Sequence, residues 1–383
     1  MKSVFNPQYK PFPEIKGNFG FGCMRLPLLD SGEVDLNEFS LMVDAFIGAG
    51  FNYFDTAHGY LEGKSELAIR ECLSIRHKRE DFILVNKLSS WCFDKNEDIK
   101  PFIESQLDLC GVEYFDFYLM HAQQKSVYSK YRDCRAYEEA FKLKAEGKIR
   151  HVGISFHDSA EFLEEILTDY PEIEVVQIQF NYADYGNPSV QSKKVLEVCR
   201  KFGKPVIVME PIKGGNLAKL PKAAEGAVEE LGITPANLAL RFAAGFEGVI
   251  MTLSGMGSMD MLNENVSFMK DFKPLSEREL LTVDKVMAIL EGKDLIPCTA
   301  CRYCEEGCPA KIKIPDLISC ANNKKMYPKD WNAAFYYGVH SSAGAKASAC
   351  IGCASCEDIC PQHLPIRNIL KNIAEEFEKR EDN

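Results

Sequence analysis

Short apolar segments alternate with helix-like stretches along most of this 383-residue chain, and this alternation limits its possible folds more than any other feature. The apolar segments are rich in strand-forming residues, and the stretches between them repeat apolar residues at intervals of three and four. Eight such units, with strands apolar on both faces, predict a parallel (β/α)8 barrel over roughly residues 17–290. The predicted strands are Phe19–Leu26, Asn52–Phe54, Phe82–Val85, Phe115–Met120, Ile149–Ile154, Val175–Ile178, Pro205–Met209 and Gly248–Leu253. The predicted helices are Asp35–Gly48, Lys64–Arg76, Asp98–Cys110, Ala136–Glu146, Ser159–Thr168, Val190–Phe202, Ala223–Leu231 and Pro235–Ala244.

The length of the chain leaves room for a second, smaller domain after the barrel. A single barrel of this kind uses about 250 residues or more, and Gly292 and Pro297 mark a boundary after a helical stretch over Ser276–Leu290. We therefore predict two domains, residues 1–291 and residues 292–383. Apolar residues make up 46% of the sequence and charged residues 26%, as is typical of soluble globular proteins.

Charge and hydropathy exclude several classes of partner. A formal net charge of -11 argues against nucleic acid, because phosphate binding needs a concentrated excess of Lys and Arg. The first residues contain prolines and charges where a signal peptide needs an uninterrupted apolar core. No later apolar run has the length of a membrane span. We expect a cytoplasmic protein that binds neither nucleic acid nor membranes.

Ionisable side chains follow three consecutive predicted strands. Asp55 ends the second strand, Lys87 follows the third and His121 follows the fourth. Functional residues of (β/α)8 barrels lie at the C-terminal ends of the strands, so these three side chains should meet on one rim. Tyr60 lies five residues after Asp55 in a glycine-bearing loop, and we expect it at the same place.

This constellation resembles the active site of the aldo/keto reductase family, which uses Asp, Tyr, Lys and His. The matching residues lie within FDTAHGY, LVNKLS and YLMH, and the segments IRHVGIS and NENV are also similar to family signatures. The resemblance spans almost the whole predicted barrel. It implies an oxidoreductase that reduces an aldehyde or ketone, or oxidises an alcohol, with NAD(P)H.

The chemistry of carbonyl reduction explains why these four residue types occur together. Hydride addition leaves negative charge on the carbonyl oxygen, so the site needs a proton donor and groups that stabilise the oxyanion. Tyr60 can donate the proton, and because a free tyrosine has a pKa of about 10, a nearby cation such as Lys87 would favour its phenolate. Asp55 can orient Lys87, and His121 can align the carbonyl by a hydrogen bond.

Two glycine-bearing loops predict a phosphate site for the cofactor. Barrels commonly bind phosphate after strands seven and eight, where this chain has Lys213-Gly214-Gly215 and Ser254-Gly255-Met256-Gly257-Ser258. The resemblance further implies that Ser155 and Gln177 bind the nicotinamide carboxamide and that Asn265 lies near the adenine.

Three features depart from the family pattern. Phe156 stands where the family usually has Asn, and Met209 stands where an aromatic residue commonly stacks on the nicotinamide. Residues 255–262 also lack the Lys and Arg that often bind the 2′-phosphate of NADP. NADH, NADPH and a flavin such as FMN therefore all remain open as the cofactor.

Eight of the 15 cysteines form two runs with one spacing, Cys-x2-Cys-x2-Cys-x3-Cys-Pro. The first run (residues 298–308) contains Cys298, Cys301, Cys304 and Cys308, and the second run (residues 350–360) contains Cys350, Cys353, Cys356 and Cys360. Zinc usually takes two separated ligand pairs, and disulfides are disfavoured in the cytoplasm, so the spacing favours two [4Fe–4S] clusters. The runs resemble those of dicluster ferredoxins. We interpret the seven scattered cysteines as packing residues.

In ferredoxins with this spacing the fourth cysteine of each run ligates the other cluster. One cluster would then use Cys298, Cys301, Cys304 and Cys360, and the other Cys350, Cys353, Cys356 and Cys308. The 41-residue spacer between the runs is too long for a minimal ferredoxin and has helical patterns around Pro315–Asn322 and Asp330–Tyr337. The predicted fold class is therefore α/β, a (β/α)8 TIM barrel followed by a small, mainly α-helical dicluster ferredoxin-like domain.

Three functional hypotheses follow, because hydride transfer moves two electrons and each cluster moves one. The first is NAD(P)H-linked carbonyl reduction with the clusters serving electron exchange or regulation. The second is a one-electron reductase that binds a flavin or an unusual substrate and receives electrons through the clusters from a ferredoxin-like partner. The third is a non-catalytic redox sensor or scaffold. We also expect the cluster domain to pack over the rim that bears Tyr60, against a long loop over Ala122–Arg135.

Overall fold

The eight predicted strands are present and close into one parallel barrel in the order β1 to β8, which confirms the predicted fold class. The computed structural model describes residue 6 and residues 8–187, 190–291, 295–298, 302–327, 331–360 and 362–378. The strands are β1 (Phe19–Gly22), β2 (Tyr53–Asp55), β3 (Ile83–Leu88), β4 (Phe115–Gln123), β5 (Ile149–Phe156), β6 (Val175–Gln179), β7 (Val206–Met209) and β8 (Val249–Ser254).

Helices alternate with the strands along the chain and make up most of the chain that follows β8. Up to residue 291 they are α1 (Leu36–Gly48), α2 (Lys64–Ile69), α3 (Asn96–Cys110), α4 (Lys125–Asp133), α5 (Ala136–Ala145), α6 (Ala160–Asp169), α7 (Ser192–Lys201), α8 (Lys222–Glu229), α9 (Pro235–Ala244), α10 (Met259–Met269) and α11 (Glu277–Glu291). They continue as α12 (Tyr303–Glu306), α13 (Ile314–Met326), α14 (Trp331–Ala343), α15 (Ser355–Asp358) and α16 (Ile366–Phe377). In the described part of the chain, no helix combines the length and apolarity needed to cross a bilayer.

Three segments differ from the sequence-based expectation. The long loop expected over Ala122–Arg135 contains the helix α4, whose polar composition hid its helical pattern. The helix expected over Lys64–Arg76 ends early, because α2 passes into a π-helical turn over Arg70–Ser74. The helix α10, which follows β8, was not predicted.

The inside of the barrel is packed with large side chains from alternate positions of the strands. They include Tyr53, Val85, Phe117, Leu119 and Met251. Phe12, which precedes the barrel, joins the same cluster and packs edge-on against Phe117 at a ring-centroid distance of 4.9 Å. The interior is therefore a filled core, and a ligand is expected at the C-terminal ends of the strands.

Glycines in two strands make room for the bulky neighbours on adjacent strands. A Cβ atom added at Gly153 of β5 would lie 2.5 Å from Val175 Cγ1, 2.6 Å from the backbone oxygen of Val175 and 2.7 Å from Leu119 Cδ2. A Cβ atom added at Gly20 of β1 would lie 2.7 Å from Leu253 Cδ2. Both glycines are required by this close approach of the strands.

The chain divides into two compact units. The first contains Met1–Gly186, Val190–Lys213 and Ile233–Leu280, and the second contains Asn187–Ser189, Gly214–Gly232 and Leu281–Asn383. Gly292, which we took as the boundary between domains, lies outside the described residues. The division into residues 1–291 and 292–383 stays a prediction.

The second unit has its own apolar core. Ile314, Leu317 and Ile318 of α13 pack in it together with Ile366 and Leu370 of α16. The buried residues of α16 recur at intervals of three and four, which gives this helix one apolar face. The two helices expected between the cysteine runs are present as α13 and α14, and both are longer than predicted.

We predict that Gly153→Ala destabilises the barrel by about 1–3 kcal/mol, because the new methyl group meets the backbone of Val175, which cannot move aside. Chemical denaturation followed by circular dichroism measures the change. Gly48→Ala is the matched control, since a Cβ atom added at Gly48 meets nothing within 4 Å. Equal stability of the two variants would contradict the predicted clash.

Candidate active site

The C-terminal ends of neighbouring strands bring three ionisable side chains to one rim. Asp55 is the last residue of β2, Lys87 lies near the end of β3 and His121 lies near the end of β4. The strand register places Asp55 opposite Val85 and Lys87 opposite Leu119, so the three residues occupy successive positions around the barrel. The structure therefore assembles the residues at the rim where they were expected.

The ammonium of Lys87 is the centre of this group. Lys87 Nζ lies 2.6 Å from Asp55 Oδ1, 2.8 Å from the backbone oxygen of Thr56 and 3.3 Å from Tyr60 Oη. The Lys87 side chain is 0% exposed and that of Asp55 is 5% exposed. Removing one partner of such a buried pair leaves an uncompensated charge, so the pair holds the ends of β2 and β3 in one arrangement.

Burial has the largest effect on the pKa of Tyr60. Loss of hydration raises the pKa of the Tyr60 phenol, although the Lys87 ammonium acts in the opposite direction. Burial alone would lower the pKa of Lys87, but Asp55 and Tyr60 outweigh it and the pKa of this lysine is raised. The contribution of Lys87 toward the phenolate, which the sequence suggested, is thus smaller than the effect of burial. Tyr60 is a protonated phenol beside a charged ammonium, as a proton donor requires.

A network around Glu66, which the sequence did not reveal, supports the loop that carries Tyr60. Glu66 is 0% exposed. Its Oε2 lies 2.7 Å from His58 Nδ1, and its Oε1 accepts from Asn86 Nδ2 at 2.7 Å and from Gln106 Nε2 at 3.0 Å. The sequence offered one signal of this network: Glu66 and Gln106 are polar residues inside helices, and Asn86 is a polar residue inside an apolar strand. This carboxylate ties the Tyr60 loop to the strand that bears Lys87.

The backbone beside Tyr60 adopts an uncommon conformation. Leu61 and Glu62 both have positive φ angles, 51° and 57°. Such angles in residues other than glycine cost energy and persist only where the surroundings fix them. The contacts of His58 and Tyr60 on one side of the turn, and of Glu66 on the other, provide that constraint.

His121 faces Tyr60 and is held by two other side chains. The rings of His121 and Tyr60 lie 6.2 Å apart, centroid to centroid. Ser89 Oγ lies 2.6 Å from His121 Nδ1, and Tyr131 Oη donates to the backbone oxygen of His121 at 3.0 Å. Ser89 and Tyr131 were both missed from the sequence. Ser89 directly follows β3 but is not ionisable, and Tyr131 lies in the helix that was predicted as a loop.

The imidazole of His121 is neutral in this environment. Burial and, to a smaller extent, the Lys87 ammonium hold its pKa well below the usual value of 6.5. The same two causes lower the pKa of His157, which follows β5, to about 4. His157 was not predicted as a site residue. Two neutral imidazoles thus lie within the electrostatic range of one buried ammonium.

Ser155 and Gln177, expected near the nicotinamide, lie in β5 and β6 and are buried. Ser155 Oγ accepts from the backbone nitrogen of Ala122 at 2.7 Å, and Gln177 Nε2 donates to Asp55 Oδ2 at 2.9 Å. Gln177 therefore connects to the carboxylate that pairs with Lys87. Phe156 is also buried, and Met209 is half-buried at the end of β7.

The two glycine-bearing loops have different surroundings. Lys213 Nζ lies 2.7 Å from Oδ1 of Asp184, whose side chain is buried, so the lysine already has a counter-ion. Gly214 and Gly215 belong to the second unit and have φ angles of 65° and 104°.

The loop after β8 leads into α10. Ser258 caps this helix by accepting from the backbone nitrogen of Met261, and Glu38 Oε1 accepts from that of Met259 at 3.0 Å. Asn265 Nδ2 donates to Ser254 Oγ at 3.3 Å. Gly255 lies against Arg25, since a Cβ atom there would be 3.2 Å from the Cβ atom of Arg25, and Gly257 is exposed. A carboxylate thus already occupies a helix N-terminus that favours anions.

The cysteines of the two runs line two cavities in the second unit. The first, the Cys308 cavity, is partly open to solvent, and four cysteines line it: Cys308, Cys350, Cys353 and Cys356. The second, the Cys298 cavity, is also partly open and is lined by Cys298, Cys304 and Cys360. Cys301 lies outside the described residues. Each cavity takes cysteines from both runs.

The cavities suit a bulky cluster better than a single metal ion. One zinc ion needs its sulfur ligands about 2.3 Å from a single point. Among the described residues, no group of three or more His, Cys, Asp or Glu side chains is placed to hold one metal ion. Sets of cysteine thiolates drawn from both runs, without other metal-ligating side chains among the described lining residues, are the ligands of multi-iron clusters. The donor set and the cavities therefore fit the predicted [4Fe–4S] groups.

Comparisons with known proteins agree with this geometry. Residues 18–288 match the aldo/keto reductase family, and residues 297–364 match a 4Fe-4S dicluster domain. Among curated proteins, the chain is 28% identical over 186 residues to the NADH-specific methylglyoxal reductase of Escherichia coli (strain K12), a match that covers 44% of this chain and 54% of that reductase. It is 24% identical over 294 residues to the uncharacterized oxidoreductase YqkF of Bacillus subtilis (strain 168), covering 68% of this chain and 89% of the relative.

Solved structures share the barrel fold. An aldo/keto reductase from Klebsiella pneumoniae in complex with NADP and acetate superimposes with a TM-score of 0.59 at 23% identity, covering 70% of this chain and 91% of the other. The holo form of aldo-keto reductase AKR11C1 from Bacillus halodurans gives a TM-score of 0.57 at 24% identity, with the same coverage of 70% and 91%. The chain belongs to the aldo/keto reductase family and carries a 4Fe-4S dicluster domain after its barrel.

Proposed function

We propose that this oxidoreductase catalyses NAD(P)H-linked reduction of an aldehyde or ketone, or the reverse oxidation of an alcohol, with Tyr60 as the general acid. One observation carries the proposal: the buried Lys87 ammonium lies 2.6 Å from Asp55 Oδ1 and 3.3 Å from Tyr60 Oη. The proposal couples this site to two [4Fe–4S] clusters. The substrate is a small carbonyl compound or alcohol.

The four residues have complementary roles in the reaction. Tyr60 gives its proton to the carbonyl oxygen as negative charge develops there. The Lys87 ammonium stabilises the phenolate that results, and Asp55 keeps this ammonium charged and oriented. His121 donates a hydrogen bond to the carbonyl oxygen and fixes its position. In alcohol oxidation the direction of proton transfer is reversed, and the Tyr60 phenolate accepts the proton of the alcohol.

The residues that would hold the cofactor are Ser155, Gln177, Lys213, Gly214, Gly215, Ser254, Gly255, Gly257, Ser258 and Asn265. A bound nicotinamide would supply the hydride to the carbonyl carbon. Gln177 supports this assignment: its amide nitrogen donates to Asp55, and no donor among the described residues bonds its amide oxygen, which leaves an acceptor for a carboxamide. Glu38 at the start of α10 disfavours a further phosphate there, which supports NADH over NADPH.

Eight cysteines would hold the two clusters. One cluster would use Cys308, Cys350, Cys353 and Cys356, and the other Cys298, Cys301, Cys304 and Cys360. The lining of the two cavities supports this crossed arrangement. The clusters would exchange single electrons. A redox protein such as a ferredoxin is the proposed partner.

A second candidate function is a one-electron reductase that binds FMN or an unusual substrate. The buried Phe156 and the Met209 at the end of β7 favour it, because both depart from the family pattern around the nicotinamide. Identification of the cofactor extracted from anaerobically purified protein separates the two functions. Bound flavin supports the second function, whereas tight NADH binding without flavin supports the first.

We predict that Tyr60→Phe lowers carbonyl reduction by at least about 100-fold, because the general acid is lost, while the cluster absorbance persists. Steady-state assays over a panel of aldehydes and ketones, with NADH or NADPH, measure the loss. Tyr9→Phe is the matched control, since Tyr9 is exposed and remote in sequence from the four proposed catalytic residues, called the quartet below. Normal turnover by Tyr60→Phe would refute the assigned mechanism.

We predict that kcat/KM for reduction shows no inflection near pH 6.5, the usual pKa of histidine, because the pKa of His121 lies well below that value. The rate should fall only above pH 10.0, the usual tyrosine value, since the pKa of Tyr60 is raised and the acid must be protonated. A pH–rate profile provides the test. An inflection near 6.5 that disappears in His121→Gln would contradict a neutral His121.

We predict that removing two cysteines of one cavity costs one cluster, whereas removing one cysteine from each costs both. Cys308→Ala with Cys356→Ala should lower the iron content from about eight to about four atoms per chain. Cys356→Ala with Cys360→Ala should remove nearly all iron. Iron analysis of anaerobically purified protein measures both, and Cys320→Ala is the control, because Cys320 is a buried cysteine outside both runs. Equal iron content in the two double variants would contradict the proposal that the fourth cysteine of each run ligates the cluster of the other run.

A further inference from the structure

We propose that Ser89 is a positioning residue that selects the tautomer of His121, by donating its hydroxyl hydrogen to Nδ1 so that Nε2 carries the proton. This inference rests on the proposed function, in which His121 donates a hydrogen bond to the carbonyl oxygen. It adds a residue outside the quartet to the catalytic machinery. Ser89 follows β3 directly, two positions after Lys87.

The geometry of the Ser89 hydroxyl allows one satisfactory arrangement of hydrogens. Ser89 Oγ lies 2.6 Å from His121 Nδ1, and Ser89 is 4% exposed. Among the described residues, this is the one hydrogen-bond contact of the Ser89 hydroxyl. If Nδ1 carried the proton, the hydroxyl would accept it and its own hydrogen would have no acceptor, at a cost of about 1–3 kcal/mol. Donation from Ser89 to a bare Nδ1 satisfies both groups.

The surroundings of His121 keep its imidazole neutral, so only one of the two ring nitrogens carries a hydrogen. Lys87 and His157 both face His121 electrostatically, and together with burial they disfavour an imidazolium. A neutral imidazole has one protonated and one bare nitrogen, and the bond made by one nitrogen determines the state of the other. With Nδ1 accepting from Ser89, Nε2 is the protonated nitrogen.

The backbone around His121 keeps the ring in reach of Ser89. Tyr131 Oη lies 2.6 Å from the backbone oxygen of Leu88 and 3.0 Å from that of His121, so its one hydrogen is shared between the end of β3 and the end of β4. Ala122 has a positive φ angle of 50°, and its nitrogen donates to Ser155 Oγ. These contacts fix where the ring lies, whereas Ser89 fixes which nitrogen is protonated.

The tautomer matters because a bare nitrogen would present a lone pair to the carbonyl oxygen and repel it. An imidazole without the Ser89 hydrogen bond populates both tautomers. Ser89→Ala should therefore lower kcat by about 10- to 100-fold, the loss seen when the partner that orients a metal-binding histidine is removed. Ser89→Thr keeps the hydroxyl and should restore most of the rate.

The test is a ¹⁵N NMR spectrum of the histidine-labelled holoenzyme, which reports the protonation of each ring nitrogen directly. The His121→Gln variant identifies the His121 signals among the seven histidines. We expect a bare Nδ1 and a protonated Nε2 in the wild type and in Ser89→Thr, and averaged signals in Ser89→Ala. Ser90→Ala is the control, because Ser90 neighbours Ser89 without joining the site, and it should leave the signals and the rate unchanged.

The spectrum separates this inference from the proposed function. A protonated Nδ1 in the wild type overturns the role of Ser89 even if carbonyl reduction is observed. The stated tautomer without any carbonyl turnover leaves the role of Ser89 in place and refutes the proposed function. An Ser89→Ala enzyme with unchanged rate and unchanged signals also overturns the inference.

Discussion

The buried ammonium of Lys87 is the charge on which the C-terminal ends of β2 and β3 depend. A charged group without hydration is tolerated only with compensating partners, and here Asp55, the backbone oxygen of Thr56 and Tyr60 supply them. The same charge disfavours protonation of His121. The contacts of Lys87 thus join the ends of β2 and β3, and its charge favours the neutral imidazole that the proposed carbonyl reduction needs. Gln177 extends the group to β6 through Asp55.

The sequence predicted the barrel and the rim because both follow from simple periodicities. Strands buried on both faces read as short apolar runs, and Asp55, Lys87 and His121 stood out at their ends. The supporting residues could not be found in this way. Glu66 lies inside a helix and Ser89 in a short connection, and their importance comes from partners 20 and 32 residues away along the chain.

Other differences from the prediction have local physical causes. The helix α4 is dominated by polar and charged residues, and its buried face, formed by Tyr128 and Tyr131, is too short to distinguish it from a loop by sequence. Lys213 was predicted from the principle that barrels bind phosphate after strand seven, but sequence alone could not show the buried Asp184 that faces it. Spacing alone located the two cysteine runs, since cluster ligation imposes a fixed separation of thiolates along the chain.

Each of the two cysteine cavities is lined by residues of both runs, which links the two runs in evolution. Cys308 of the first run lies in a cavity with three cysteines of the second run, and Cys360 of the second run lies in the cavity of the first. Ile314 lines both cavities, so they share a wall. A segment that carried one run alone would supply an incomplete set of cysteines to each cavity, so both runs have to be inherited together for either cavity to keep its lining.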